Sequence, residues 1–191
     1  MMRRAAAAVG CLFLLSVASC EPPASDNPLA DPAAAKVDSK LVGIWRGQKD
    51  GDVVYLHVTG KEKGLLDLTL LGTDTKKGSV VLTFEGFASE LGGKKYLNLR
   101  PKTAKGDPWD DAWDVRPRYV FAQYELKGGA VSLSLMRDAL VKEAVAAGKL
   151  QGKLDGDNVI LTDETPKLAA FVQAADHSKL FEAFATFKPM K

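Results

Sequence analysis

Cysteine and histidine are scarce in this chain. Its two cysteines, Cys11 and Cys20, both fall within the first twenty residues. The remainder has no thiol and no disulfide, which excludes thiol catalysis, a cysteine-built zinc site and a disulfide scaffold. A hydrophobic core has to hold the fold. The two histidines, His57 and His177, stand alone in sequence, and a lone histidine is more often a surface or satisfied residue than a ligand or base. The sequence has no Gly-x-Ser-x-Gly elbow, no His-Glu-x-x-His helix and no phosphate loop, so no catalytic residue and no metal or cofactor site is assigned. An excess of charge is also missing. Once Arg3 and Arg4 are set aside with the leader, the 26 basic residues fall level with the 24 acidic ones. That balance gives no electrostatic argument for nucleic acid, whose binders cluster positive charge.

No apolar run is long enough for a transmembrane helix, which needs about 20 residues. The longest is Ala5 to Val17, preceded by Met1-Met2-Arg3-Arg4 and closed by Val17-Ala18-Ser19-Cys20. A basic start, an apolar middle and a small-residue exit make a secretory signal. The ending resembles the lipobox of bacterial lipoproteins, an aliphatic residue and two small ones before cysteine. The resemblance implies removal of residues 1–19, diacylglycerol on the Cys20 thiol and palmitate-type acylation of the new N-terminus. Several acyl chains anchor stably where one does not, at about 0.8 kcal/mol per buried methylene. In that family Asp after the cysteine often marks inner-membrane retention, so Glu21 implies the outer membrane, with the domain facing the periplasm.

Residues 20–39 hold Pro22, Pro23, Pro28 and Pro32 with many Ala and Asp and few large apolar side chains. This composition predicts a flexible tether with a maximum reach of roughly 60 Å if fully polyproline-like. Residues 40–191 are then one domain, long enough to bury its own core.

In that domain, glycine-containing turns at Asp50-Gly51, Gly60 to Gly64, Gly72 to Gly78, Gly92-Gly93, Gly128-Gly129 and Asp155-Gly156 separate short runs rich in Val, Leu, Phe and Tyr. The runs alternate: Val54, Leu56 and Val58; Leu66, Leu68 and Leu70; Val80, Leu82 and Phe84; Val131, Leu133 and Leu135. Period two with one apolar face predicts half-buried antiparallel strands joined as hairpins. Two segments switch to helical spacing. Leu140, Val141, Ala144 and Val145 lie between a capping Asp138 and a terminating Gly148. Leu168, Phe171, Val172 and Ala175 follow Thr165-Pro166, a capping hydroxyl and a first-turn proline. The tail fits both periods; the preferred reading is a short helix and then a strand with Phe181, Ala183, Ala185 and Phe187 on one face.

The first strand reads Leu41-Val42-Gly43-Ile44-Trp45-Arg46-Gly47. Its Gly-x-Trp resembles the opening strand of lipocalins and related calycin barrels. The resemblance implies a mainly β, up-and-down antiparallel barrel of about 8–10 strands, here with two short helices in the C-terminal third. It makes Trp45 the plug of the closed end and Lys188 a candidate basic partner. It also makes the interior a binding site lined by Trp45, Val54, Leu56, Leu66, Leu68, Val80, Leu82 and Phe84. The second lipocalin motif, Thr-Asp-Tyr, is missing.

The most unusual stretch is residues 106–114, which carry Trp109 and Trp113 with Asp107, Asp110, Asp111 and Asp114. Pro108 and the nearby Pro117 predict a loop. Trp109, Trp113, Asp110 and Asp111 form a candidate binding edge, since tryptophans stack on planar ligands and anchor partners. Clustered carboxylates can hold Ca²⁺, but the spacing fits no Ca²⁺ loop. Asp67, Glu85 and Glu125 sit on polar strand faces and read as solvated surface. The favoured function is a lipid-anchored, non-enzymatic module that binds a small apolar ligand or an envelope protein. The alternative is an envelope hydrolase or Ca²⁺-binding enzyme built on the carboxylates of residues 106–114.

Overall fold

The computed structural model describes residues 22–74, 78–105, 118–155 and 158–190. The lipobox, Cys20 and the whole of residues 106–117, with Trp109, Trp113, Asp110 and Asp111, lie outside them.

Seven strands run up and down in chain order: β2 (Gly43–Lys49), β3 (Asp52–Gly60), β4 (Leu65–Asp74), β5 (Gly78–Leu91), β6 (Lys94–Lys105), β7 (Val120–Lys127) and β8 (Ala130–Met136). An eighth, β11 (Phe181–Pro189), pairs antiparallel with both β8 and β2 and closes the barrel. The expected lipocalin-like antiparallel barrel is therefore the fold. Its tight turns follow from glycine. Asp50-Gly51, Gly92-Gly93 and Gly128-Gly129 all take positive φ at both positions, the two-residue hairpin geometry that matches strand twist.

Between β8 and β11 the chain makes α1 (Asp138–Ala146), β9 (Gly152–Asp155), β10 (Asn158–Leu161), α2 (Thr165–Ala174) and the single-turn α3 (His177–Leu180). A short β1 (Ala24–Ser25) pairs parallel with β10, giving a three-stranded sheet β1-β10-β9 outside the barrel. The helical stripes are as expected: Val141, Ala144, Leu168 and Val172 are buried. Gly148 has φ 70° just beyond α1 and donates its N–H to the Val145 carbonyl, a left-handed stop. The starts differ from expectation. Asp138 lies inside α1 and pairs with Lys142, and Thr165 lies inside α2; the cap positions go to Arg137 and Glu164, neither of which makes a side-chain cap bond.

Two cores result. Trp45, Val54, Leu56, Val58, Leu66, Leu68, Leu97, Leu99, Val131 and Phe187 fill the barrel. Phe87, Tyr96, Phe121, Met136 and Phe181 leave the barrel's outer face and pack against α1, α2, α3 and the small sheet. Each large apolar side chain buried in either core contributes about 1.5–3 kcal/mol.

The expected flexible tether is a strap. Ser25 exchanges two backbone hydrogen bonds with Tyr119. Leu29 is 1 % exposed, and its N–H donates to the buried Asn98 Oδ1 at 2.7 Å. The chain then passes Gly64, where an added Cβ would strike the Ala35 carbonyl. Val37, Asp38 and Leu41 cover the lower end of the barrel, the end that holds Trp45. Few apolar residues suffice because backbone hydrogen bonds and one leucine do the holding, while four prolines reduce the entropy lost on ordering.

Candidate binding site

Of the eight residues expected to line the barrel, Trp45, Val54, Leu56, Leu66, Leu68 and Phe84 pack into its core, and register sets Val80 and Leu82 on the same sheet face. Register puts Trp45, Leu56, Leu70 and Leu82 in one cross-strand row, and Val58, Leu68 and Phe84 in the next. Burial is graded along the barrel axis. Trp45, Val54, Leu56, Leu66 and Leu68 are buried, whereas Leu70, Val80, Leu82, Phe84, Leu135 and Phe184 are half-buried. The half-buried group belongs mainly to the upper end, where β2 meets β3 and β4 meets β5.

The lower end is shut by polar chemistry as well as by Trp45. Lys95 and Tyr124 stand opposite each other on the inward face of β6 and β7. Asp38 Oδ2 accepts from Lys95 Nζ at 2.8 Å and from Tyr124 Oη at 3.0 Å. Burial raises the Asp38 pKa, but the Lys95, Tyr124 and backbone Lys40 hydrogen bonds outweigh it and leave the group below its ordinary value. Burial, with the Asp38 charge beside it, pushes the Tyr124 hydroxyl upward, so it remains a donor. Lys188 is not the partner of Trp45. The Trp45 Nε1 donates to the Leu41 carbonyl at 2.9 Å, and Lys188 lies one register position away, exposed beside Arg46. Because the strand period is two, a residue adjacent to the inward Phe187 has to face out.

At the upper end, the pairing of β11 with β2 stops short at a seam. Strand β11 pairs with β2 only through Phe187, Lys188 and Pro189, opposite Gly47, Arg46 and Trp45. Above Gly47 the two strands part. In β11 the register to β8 slips between Ala183 and Ala185, leaving Phe184 as an extra residue. This bulge reverses the alternation: Phe181 faces the outer core and Phe187 the barrel, not one common face. Phe184 turns toward the barrel core, stacks on Phe187 with centroids 6.5 Å apart, and has Lys49 Nζ 6.0 Å above its ring. A groove of about 300 Å³ lies beside the seam, walled by the upper ends of β8 and β11 and the start of α1, with Lys49 of β2 and Pro22 at its edge; Leu135, Ala139, Ala183 and Phe184 are among its lining. In the sequence Phe181, Phe184 and Phe187 stand at helical spacing; in the strand it is the bulge that turns Phe184 and Phe187 to one side.

The remaining candidates sit apart from the seam. His57 is exposed near Thr59. His177 packs on the outer core against Tyr96 and Phe181. Asp67 and Glu85 are cross-strand neighbours, bridged by Lys61 (2.9 Å to Glu85) and Lys102 (3.4 Å to Asp67). The Lys61 hydrogen bond, with help from Lys102, holds the Glu85 pKa below the ordinary carboxylate range against the opposing effect of burial. A general acid needs the opposite shift. Glu125 is exposed. Among the described residues, no three of His, Cys, Asp and Glu are grouped to hold a metal ion, and no helix is long and apolar enough to cross a membrane. Comparison with protein-family models, curated proteins and solved structures found no match.

Proposed function

We propose that this protein is a lipid-anchored bacterial envelope lipoprotein whose barrel binds an apolar, lipid-like ligand without chemical turnover. One observation carries the reading. The barrel interior is apolar above the Lys95–Asp38–Tyr124 cluster that seals its lower end, and it is loosened toward an upper seam where Phe184 and Leu135 are half-buried. A ligand site of this type is concave and apolar with a few polar groups at its rim, and here Lys49, Arg137 and Glu182 occupy the rim. The Val-Ala-Ser-Cys ending at Cys20 supports the anchor, and Glu21 supports an outer-membrane address with the barrel in the periplasm.

Two measurements on protein purified from envelope extract test this. Intact mass of the mature chain is expected to begin at Cys20 with acyl additions, and Cys20→Ala is expected to leave the envelope fraction. Native mass spectrometry is expected to show co-purified lipid in wild type and less in Phe184→Asp, which puts a charge at the seam. An unmodified Cys20 thiol removes the anchor. A lipid-free protein, or one that carries a stoichiometric protein instead, removes the ligand.

A further inference from the structure

We infer that the barrel is not displayed at a distance from the membrane but is held directly on it, with the β2–β11 seam facing the lipid. The inference rests on the anchored reading above and adds its orientation and its contact surface. The described chain is already docked at Pro22, which itself lines the groove beside Lys49, Leu135 and Phe184. Pro23 is buried and Ser25 is bonded to Tyr119, so the anchor point is fixed to the barrel rather than swinging from it. Only Glu21 separates Pro22 from Cys20. With successive Cα atoms 3.8 Å apart, the Cys20 Cα lies within about 7.6 Å of that of Pro22. Acyl chains on Cys20 therefore enter the bilayer next to the groove, and the groove lies at headgroup depth.

The surroundings of the groove suit that position. Its apolar side chains, Leu135, Met136, Ala139, Ala183 and Phe184, are framed by paired charges: Lys49 with Asp50, Arg137 with Glu182, and Lys142 with Asp138. Long charged side chains at such a frame keep their heads in the polar layer while their stems lie along apolar surface. The opposite end of the barrel, with the Gly128-Gly129 hairpin, stands about 20 Å away along β8 at about 3.3 Å per residue. An acyl chain of a bilayer lipid meets the parted strands without crossing water.

The absence of cysteine beyond Cys20 makes the test direct. Ala139→Cys, Ala183→Cys and Lys127→Cys are made in the full precursor, and each purified mature protein is labelled with a small fluorophore. The proteins are then reconstituted in phosphatidylethanolamine/phosphatidylglycerol vesicles with or without brominated acyl chains. Ala139 and Ala183 line the groove and Lys127 is exposed at the lower end. Brominated lipid is expected to remove most of the emission at the two groove positions and to leave the Lys127 label bright. Equal quenching at all three, or quenching at Lys127 alone, overturns the orientation. Intact mass on the same samples separates the two failures. Acylated protein with bright groove labels sinks this inference, whereas unacylated protein that stays off the vesicles sinks the reading beneath it.

Discussion

The Lys95 ammonium lies 2.8 Å from Asp38, linking an inward-facing strand residue to the segment that crosses the lower end of the barrel. The pair seals that end where apolar packing alone would leave the rim of β6 and β7 open. Asp38 is 16 % exposed at its side chain, so the contact is only partly screened. Asp38→Asn is expected to cost about 1–3 kcal/mol at neutral pH, the range for leaving a partly buried partner without its hydrogen bond, and Tyr124→Phe about 1 kcal/mol. The folded pKa of Asp38 is lowered from the usual 3.8. The unfolded chain thus takes up the proton first on acidification, and the contribution is full above 3.8 and lost as pH falls through the folded value. Urea unfolding of wild type and Asp38→Asn at several pH values checks this. The gap between them is expected to close in acid, and a gap constant with pH rules Asp38 out as its source.

The strap yields a second prediction, since a tether and a strap respond oppositely to change. Leu29→Ala is expected to destabilise by about 2–5 kcal/mol, as for a leucine removed from a packed core. Asn98→Ala leaves the buried Leu29 N–H without its acceptor and is expected to cost about 1–3 kcal/mol. Deleting residues 22–36 is expected to lower the urea midpoint further and to admit protease at the β6–β7 edge. A deletion with the wild-type midpoint would restore the tether.

Why the strap escaped the sequence is physical. Its partners, Tyr119, Asn98 and Lys95, are all more than fifty residues away, and most of its bonds use the backbone, which is the same for every residue. Composition reports apolar area, and the strap offers little. The small sheet was hidden for a similar reason: β9 and β10 are four residues each, too short for alternation to register. The hairpins were legible because a two-residue turn with both φ positive nearly dictates glycine, asparagine or aspartate. The helices were legible because Leu168 to Ala175 cannot place its apolar residues on one face at period two. The inward set from Val54 to Phe84 followed from alternation alone. The seam did not, because it depends on where β11 stops pairing with β2, and a pairing between Phe187 and Gly47 spans nearly the whole domain.

The third prediction concerns His177, which opens α3 on the outer core. Its Nε2 lies 2.8 Å from Tyr96 Oη, and its ring stacks on Phe181 with centroids 5.9 Å apart. Burial pushes Tyr96 up to about 12, so its hydroxyl stays protonated at any working pH. Burial also lowers the His177 pKa from the usual 6.5, and the nearby Lys94 charge adds to this; a hydrogen bond with Ala175 and the Asp176 carboxylate oppose it without reversing it. The neutral imidazole is thus the form the fold prefers. The unfolded chain binds the proton near 6.5, and the folded chain binds it only at lower pH. Stability from this contact is complete above 6.5 and is lost as pH falls through 6.5 toward the folded value. Wild type is expected to lose urea resistance between about pH 7 and pH 5, the histidine range, and His177→Gln to show a flatter profile there. Tyr96→Phe keeps the ring and is expected to cost about 1 kcal/mol at neutral pH. Parallel decline of wild type and His177→Gln would assign the acid sensitivity to another group.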